Sequence, residues 1–137
     1  MEQLIEFIGN HVLLVSAFGL TVALLLFTEK QKGGKAVTPA EAVSLINKDG
    51  AVVLDIRTKK DWETGRITDA LHIPYAELSK RSSELKKHQQ KTVIVVCNLG
   101  QTAGAAVKLL KADGFENVIR LQGGMTEWKG QNLPVVK

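Results

Sequence analysis

Residues 92–103 read TVIVVCNLGQTA, an apolar, β-branched run that ends on Cys97 and gives way to a short polar loop. A brief run of this kind, without polar alternation, is the pattern of a strand buried on both faces. Directly after the loop, residues 103–112 place Ala106, Val107, Leu109 and Leu110 at helical spacing, and Asp113-Gly114 stops the pattern. A buried strand that turns tightly into a helix is the unit from which parallel sheets are built.

The same punctuation recurs on either side. Upstream, Thr38-Pro39-Ala40-Glu41 is a helix start, with Thr as cap, Pro in the first turn and Glu three residues after the Thr. Ala42, Val43, Leu45 and Ile46 continue that helix to Asp49-Gly50. Residues 51–56, AVVLDI, form a second buried-strand run. A brief helical segment at 61–64 ends at Gly65, a short strand is expected at 70–73 before Pro74, and residues 75–88 carry one amphipathic helix with Leu78, Ser82 and Leu85 on one side. Downstream, residues 117–121 supply another strand, Gly123-Gly124 a turn and residues 125–129 a short helix. The expected fold class is therefore α/β: a mostly parallel, twisted sheet with helices on both faces. No internal repeat is visible.

The N-terminal segment differs in kind. Residues 12–27, VLLVSAFGLTVALLLF, are sixteen residues without a charge, and Leu4, Ile5, Phe7 and Ile8 extend the apolar character upstream past Glu6, Asn10 and His11. The 24 residues from 4 to 27, at ~1.5 Å each, reach ~36 Å, enough to cross a hydrocarbon core of ~30 Å with some tilt. A cleaved signal peptide would need a basic start and a small-residue cleavage site, whereas this start carries Glu2 and Glu6, and LLLFTEKQK offers no such site. A buried core helix is seldom apolar on every face over this length. The expectation is one N-terminal transmembrane helix. Lys30, Lys32 and Lys35 follow it and nothing basic precedes it except the amino terminus. The positive-inside rule then sets the N-terminus outside the cell inner (plasma) membrane and the remainder in the cytoplasm. The expected organisation is an anchor at 1–28, a polar Gly-Gly tether at 29–36 and one domain at 37–137.

The whole chain has 137 residues, 45% apolar and 23% charged, with a mean hydropathy of +0.02 that averages an apolar head with a charged body. A single cysteine excludes a disulfide framework, and the apolar content excludes collagen-like and wholly disordered chains. Residues 37–137 hold 15 Lys+Arg against 11 Asp+Glu, dispersed and without interleaved aromatics, so no nucleic-acid partner is expected.

In an α/β sheet, function gathers in the loops that follow strand C-termini, and Cys97 stands there. A helix N-terminus and inward-pointing loop amides would lower the pKa of such a thiol, and Gly100 permits the curl that this requires. A lone cysteine at the end of a valine-rich strand is equally compatible with a small buried hydrophobe. No histidine or carboxylate lies close in sequence to serve as base, and no metal-ligand spacing is present.

Four stretches, in order, resemble the rhodanese-like domain family over nearly all of residues 37–137. LDIRTKKDWETGRITDALHIP (54–74) resembles its D-x-R block with a following aromatic, Gly, Ile, Ala and I-P, through Asp55, Arg57, Trp62, Gly65, Ile67, Ala70, Ile73 and Pro74. VIVVCNLGQTA (93–103) resembles the strand and active loop C-x-x-G-x-R followed by Ser or Thr. AAVKLLKADGF (105–115) is similar to the next helix, and IRLQGGMTEW (119–128) to the closing L-x-G-G-x-x-x-W. The resemblance implies a sulfurtransferase in which Cys97 takes a sulfane sulfur from a small donor such as thiosulfate, holds it as a persulfide and passes it to a thiol, small or protein-borne, or another nucleophile. It implies an anion-binding loop made of Asn98, Leu99, Gly100, Gln101, Thr102 and Ala103, supporting roles for Asp55 and Arg57, and neither metal nor cofactor. Gly65, Pro74, Gly123, Gly124 and Trp128 are expected to hold the sheet and loops.

The departures from the family pattern concern charge. Thr102 stands where the loop often has Arg, and Ala103 where it often has Ser or Thr, so the loop lacks a cation for a dianionic donor and weak activity with thiosulfate is expected. Arg66 replaces a His and Asp69 a Gly, both expected to lie outside the chemistry. A cysteine phosphatase on a related fold would need Arg at position 103, which is Ala. The alternative of a different class is a membrane-tethered adaptor that uses the domain as a docking surface, and the apolar helix brings membrane proteins within reach as partners. With one cysteine in the chain, the thiol that accepts the sulfur must come from outside.

Overall fold

The N-terminal apolar segment is helical, but it is broken in two. In the computed structural model, which describes residues 1–32 and 34–137 apart from the side chains of residues 29–32 and 101, helix α1 (Glu2–Asn10) and helix α2 (Val12–Lys32) meet at His11. His11 leaves the helical region (φ −125°, ψ 42°), and the axes bend by 92°. The expected single transmembrane helix over 4–27 is corrected accordingly. Among the described residues no single helix is long and apolar enough to cross a membrane, whereas the bent pair passes on length and composition. Gly9 and Asn10, both weak helix formers, precede the break. The ring of His11 lies 4.7 Å from that of Phe7, and the His11 N–H closes the last turn of α1 on the Phe7 carbonyl at 3.0 Å. In α2 the apolar side chains are exposed all round, Leu13, Phe18, Leu24 and Phe27 among them. Its Thr21 hydroxyl donates to the Ala17 carbonyl at 2.8 Å, so this polar group is satisfied within the helix.

The chain divides into two compact units, Met1–Gln31 and Lys32–Lys137. Of the expected tether at 29–36, the backbone is helical through Lys32, Ala36 already belongs to a strand, and Gly33 and the side chains of residues 29–32, including those of Lys30 and Lys32, lie outside the described residues.

The second unit is built on a parallel five-stranded sheet. In chain order its elements are β1 (Ala36–Val37), α3 (Pro39–Asp49), β2 (Val52–Asp55), α4 (Lys59–Glu63), β3 (Leu71–His72), α5 (Tyr75–Arg81), a 3₁₀ segment (Ser82–His88), β4 (Val93–Val96), α6 (Gln101–Ala112), β5 (Val118–Leu121) and α7 (Gly124–Gly130). The strand order is β1-β5-β4-β2-β3, and every pairing is parallel. β4 lies at the centre, its four residues all buried. Strand periodicity sends Val93 and Val95 to one face, with Leu54, Leu78, Leu85, Ala106 and Leu110, and Ile94 and Val96 to the other, with Ala42, Val53, Leu121, Met125 and Trp128. Each fully buried leucine contributes about 1.5–3 kcal/mol.

Local chemistry accounts for most boundaries. Thr38 and Glu41 form a reciprocal capping box, with the Glu41 N–H donating to Thr38 Oγ1 at 3.2 Å and the Thr38 N–H to Glu41 Oε2 at 3.0 Å. Gly50 ends α3 in the left-handed region. Asp69, standing where the family pattern has Gly, adopts φ 62°, a conformation Asp tolerates better than most residues. The single helix expected over 75–88 becomes α5 followed by a 3₁₀ segment, because Ser82-Ser83 compete with helical backbone bonds. Leu78 and Leu85 still reach one core. The two-residue β1 lacks any periodic signal and is defined by its pairing with β5, with the Arg120 N–H donating to Lys35 O and the Gln122 N–H to Val37 O.

Candidate active site

Three loops leave the same end of the sheet, following the C-terminal ends of β2, β4 and β5, and the backbones of the last two are hydrogen-bonded to each other. Cys97 continues the face of Val93 and Val95, so its side chain enters the cluster of Ile56, Ile73, Ala103 and Ala106, and it is only 6% exposed. The chain then curls through Gly100 (φ 88°) into α6, and the Gly100 N–H donates to Cys97 Sγ at 2.9 Å.

The neighbouring turn fixes that curl from behind. The Met125 N–H donates to the Cys97 carbonyl at 2.8 Å and the Thr126 N–H to the Asn98 carbonyl at 3.0 Å. Peptide planarity then points the amides of Asn98 and Leu99 away from α7. Gly124 (φ 58°) makes this approach possible: a Cβ there would run into the Cys97 carbonyl oxygen and come within 2.7 Å of Asn98. The Gly123-Gly124 pair is therefore part of the support of the loop.

A cleft of about 330 Å³ opens over the sulfur. Ile56, Pro74, Tyr75 and Ala76 form one wall, Asn98, Leu99 and Thr102 another, and Arg57, Thr58 and Asp61 the third. Of the expected loop residues, Asn98, Leu99 and Thr102 line the cleft, Leu99 with 60% of its surface exposed. Gly100 reaches the sulfur and Ala103 is wholly buried beneath it. The side chain of Gln101 lies outside the described residues.

Asp55 and Arg57 are buried and bound to each other. Arg57 Nε donates to both Asp55 carboxylate oxygens at 3.0 Å, and its Nη2 donates to Asp55 Oδ2 and the Gly65 carbonyl at 2.7 Å each. Removing one partner of such a pair costs about 3–5 kcal/mol. Its guanidinium, though at the cleft wall, is thus committed to the fold. His72 Nε2 lies 2.9 Å from the Arg57 carbonyl, its ring stacks on Trp62 at 4.5 Å, and the Arg66 guanidinium lies over the same indole at 4.5 Å. Trp62, Arg66 and His72 thereby brace the loop after β2.

Sequence reasoning missed Asp61. Its carboxylate Oδ2 accepts from the Asn98 amide at 3.0 Å and from the Thr58 hydroxyl at 3.1 Å. These two hydrogen bonds, the Asn98 one foremost, hold its pKa below the ordinary 3.8, assisted by the nearby charges of Arg57 and Lys60. It is ionised at neutral pH. The Thr-x-x-Asp spacing at 58–61 signals a helix cap and could have marked Asp61. Its contact with Asn98 spans 37 residues and has no local signature. Among the described residues, no group of three or more His, Cys, Asp or Glu side chains could hold a metal ion.

Comparison with known proteins agrees with this geometry. A family model described as Rhodanese-like domain matches residues 38–131. Protein YibN of Escherichia coli (strain K12) is 36% identical over 141 aligned residues, which cover 100% of this chain and 99% of YibN. Thiosulfate sulfurtransferase GlpE of Coxiella burnetii (strain RSA 331) is 32% identical over 98 residues, 72% of this chain and 90% of GlpE. Among solved structures, a rhodanese-related protein from Thermoplasma volcanium superposes with a TM-score of 0.68 at 28% identity, covering 74% of this chain and 97% of that one.

The close approach at Gly124 carries a direct consequence. Gly124→Ala destabilises the domain by on the order of 3 kcal/mol through its left-handed φ and the collision with the Cys97 carbonyl. Gly130→Ala, where a Cβ would meet nothing within 4 Å, leaves stability within about 0.5 kcal/mol. Urea unfolding of the two variants measures the contrast.

Proposed function

We propose that this chain, which belongs to the rhodanese-like domain family, is a sulfurtransferase that carries sulfane sulfur as a persulfide on Cys97 and hands it to a thiol from outside the chain. The observation that carries the reading is Cys97 Sγ at the foot of a cleft, beneath a curled loop and within 2.9 Å of the Gly100 N–H. Backbone donors fixed in this way suit an anionic sulfur, because their dipoles need no reorganisation when charge arrives. In the first step the Cys97 thiolate attacks the outer sulfur of the donor, the S–S bond of the donor breaks, and the leaving group departs with the electron pair, sulfite in the case of thiosulfate. The product is the Cys97 persulfide anion. In the second step an acceptor thiolate attacks the outer sulfur of that persulfide, forming a new persulfide and returning Cys97 as thiolate. Electrons balance without any further oxidant or reductant.

The single cysteine leaves the second step to an external thiol, small or protein-borne. Thr102 and Ala103 supply no cation, Arg57 is engaged by Asp55 and Gly65, and Arg120 Nη1 lies on the side of Gly100 that faces Leu121 and Gly123. Thiosulfate is accordingly a weak donor. An adaptor role is the second reading, favoured by the exposed Leu99 at the rim of the cleft.

The N-terminal unit anchors the protein in the inner membrane. Its support is α2, whose long apolar surface is exposed on all sides and needs an apolar environment. The lysines that follow in sequence place the domain on the cytoplasmic side and the N-terminus outside.

Three outcomes are expected. Incubation with sulfane donors adds the mass of one sulfur atom to Cys97 in mass spectrometry, and Cys97→Ser abolishes turnover. An adaptor would instead keep its partner binding in Cys97→Ser, with no adduct in the native chain. Thr102→Arg raises kcat/KM for thiosulfate about tenfold, equivalent to about 1.4 kcal/mol from one charge-assisted contact, and the absence of any gain would count against a donor preference set by this loop. The full chain resists alkaline carbonate extraction from membranes and is digested by protease in inverted vesicles only. Release of the full chain by carbonate would overturn the anchor.

A further inference from the structure

We propose that Asp61 sets the charge of the sulfur donor: its fixed carboxylate at the cleft repels anionic donors and selects those with little net negative charge, above all a persulfidated cysteine flanked by basic residues on a partner protein. The inference rests on Cys97 as the reacting sulfur and adds the substrate class that the cleft admits.

The argument starts from which charges in the cleft are free to act. Arg57 forms a buried, bidentate pair with Asp55, which offsets much of its charge at the cleft wall. Asp61 is held by neutral partners, the Asn98 amide and the Thr58 hydroxyl. Among the described residues no Lys or Arg nitrogen comes within ion-pair distance of it. Its charge is therefore oriented by neutral partners and only partly offset by Arg57 and Lys60, which act on it without forming an ion pair, and it lines the same cleft as Cys97. The two hydrogen bonds, the Asn98 one foremost, hold its pKa below the ordinary carboxylate value.

A thiolate and a thiosulfate dianion already repel each other on approach, and the solvent-accessible carboxylate of Asp61 adds a third anionic centre at the cleft, whose effect is strongest at low ionic strength. A cationic flank on the donor reverses the sign of this interaction. Asn98 ties Asp61 to the loop that carries Cys97.

The experiment compares native protein with Asp61→Asn, which keeps an oxygen to accept from Asn98 and Thr58. Cys97 is alkylated with iodoacetate and with iodoacetamide, and the ratio of the two rates is taken, so that any change in the reactivity of the thiol itself cancels. At low ionic strength Asp61→Asn raises this ratio about threefold, and the gain fades in concentrated salt. In a second arm, sulfur transfer is followed from thiosulfate, a dianion, from methanethiosulfonate, a monoanion, and from thiotaurine, a net-neutral zwitterion. Asp61→Asn raises kcat/KM about fivefold for the first, about twofold for the second and leaves the third unchanged. An unchanged alkylation ratio overturns the proposal. So does an equal change for all three donors, which marks a rearranged loop. If the ratio shifts but no donor loads Cys97, the charge selection stands and the sulfur-transfer reading falls.

Discussion

The contact between the first turn of α7 and the backbone of Cys97 and Asn98 governs the geometry of the whole cleft. β4 and β5 are neighbours in the sheet, so the segments that follow them must pass side by side. They do so by sharing hydrogen bonds: two amides of α7 meet two carbonyls of the loop, at 2.8 Å and 3.0 Å. Once those carbonyls are turned towards α7, the opposite edges of the same peptide planes face away from it. The curl that brings the Gly100 N–H onto the sulfur is thus supported from the far side of the backbone. Two consecutive left-handed glycines make the approach possible, and no side chain could replace the hydrogen at position 124 without moving the loop.

A second constraint holds the opposite wall. Burying the Asp55–Arg57 pair costs several kcal/mol in desolvation, which its multiple hydrogen bonds offset. The pair ties the end of β2 to the Gly65 carbonyl and so folds back the loop that carries Thr58 and Asp61. The stack of His72 on Trp62, with the Arg66 guanidinium over the same indole, stiffens this loop from outside. The Arg of the family's D-x-R pattern serves here as scaffold, and the same wall of the cleft carries the carboxylate of Asp61.

How far the sequence foretells the molecule depends on the range of the interaction. The core strands and the helices α3, α6 and α7 follow from apolar runs and caps, which are local, and their order alone requires a parallel α/β sheet. Cys97 is readable because strand end, loop and helix are contiguous. The break at His11 is written only faintly in Gly9-Asn10, and it is overridden in any reading that sums apolar length. Ser82-Ser83 shift α5 into a 3₁₀ turn for a reason too weak to outweigh the amphipathic pattern on both sides. β1 exists only because β5 pairs with it. The Asp61–Asn98 bond and the seat of Gly124 under Cys97 join residues far apart in the chain, and nothing in either segment announces the other.

The chemistry proposed for Cys97 sharpens what the charge distribution means. A persulfide anion carries one negative charge, and backbone amides, being dipoles without net charge, can stabilise it while leaving little extra attraction for a dianion. A cation in the loop would favour small anionic donors and would also bind the sulfur cargo more tightly, slowing its departure. With Thr102 and Ala103 in the loop and Asp61 beside it, a sulfur loaded as proposed would be held by orientation more than by charge, which would favour onward transfer. In the proposed transfer, with one cysteine in the chain, both donor and acceptor enter the same cleft in turn. The cleft has an apolar wall and the exposed Leu99 at its rim, features suited to a protein surface that brings its own thiol and its own positive charge. Selectivity in such a relay resides in the partner that docks, and the cysteine needs only to be reachable, ionised and unburdened by counter-charge.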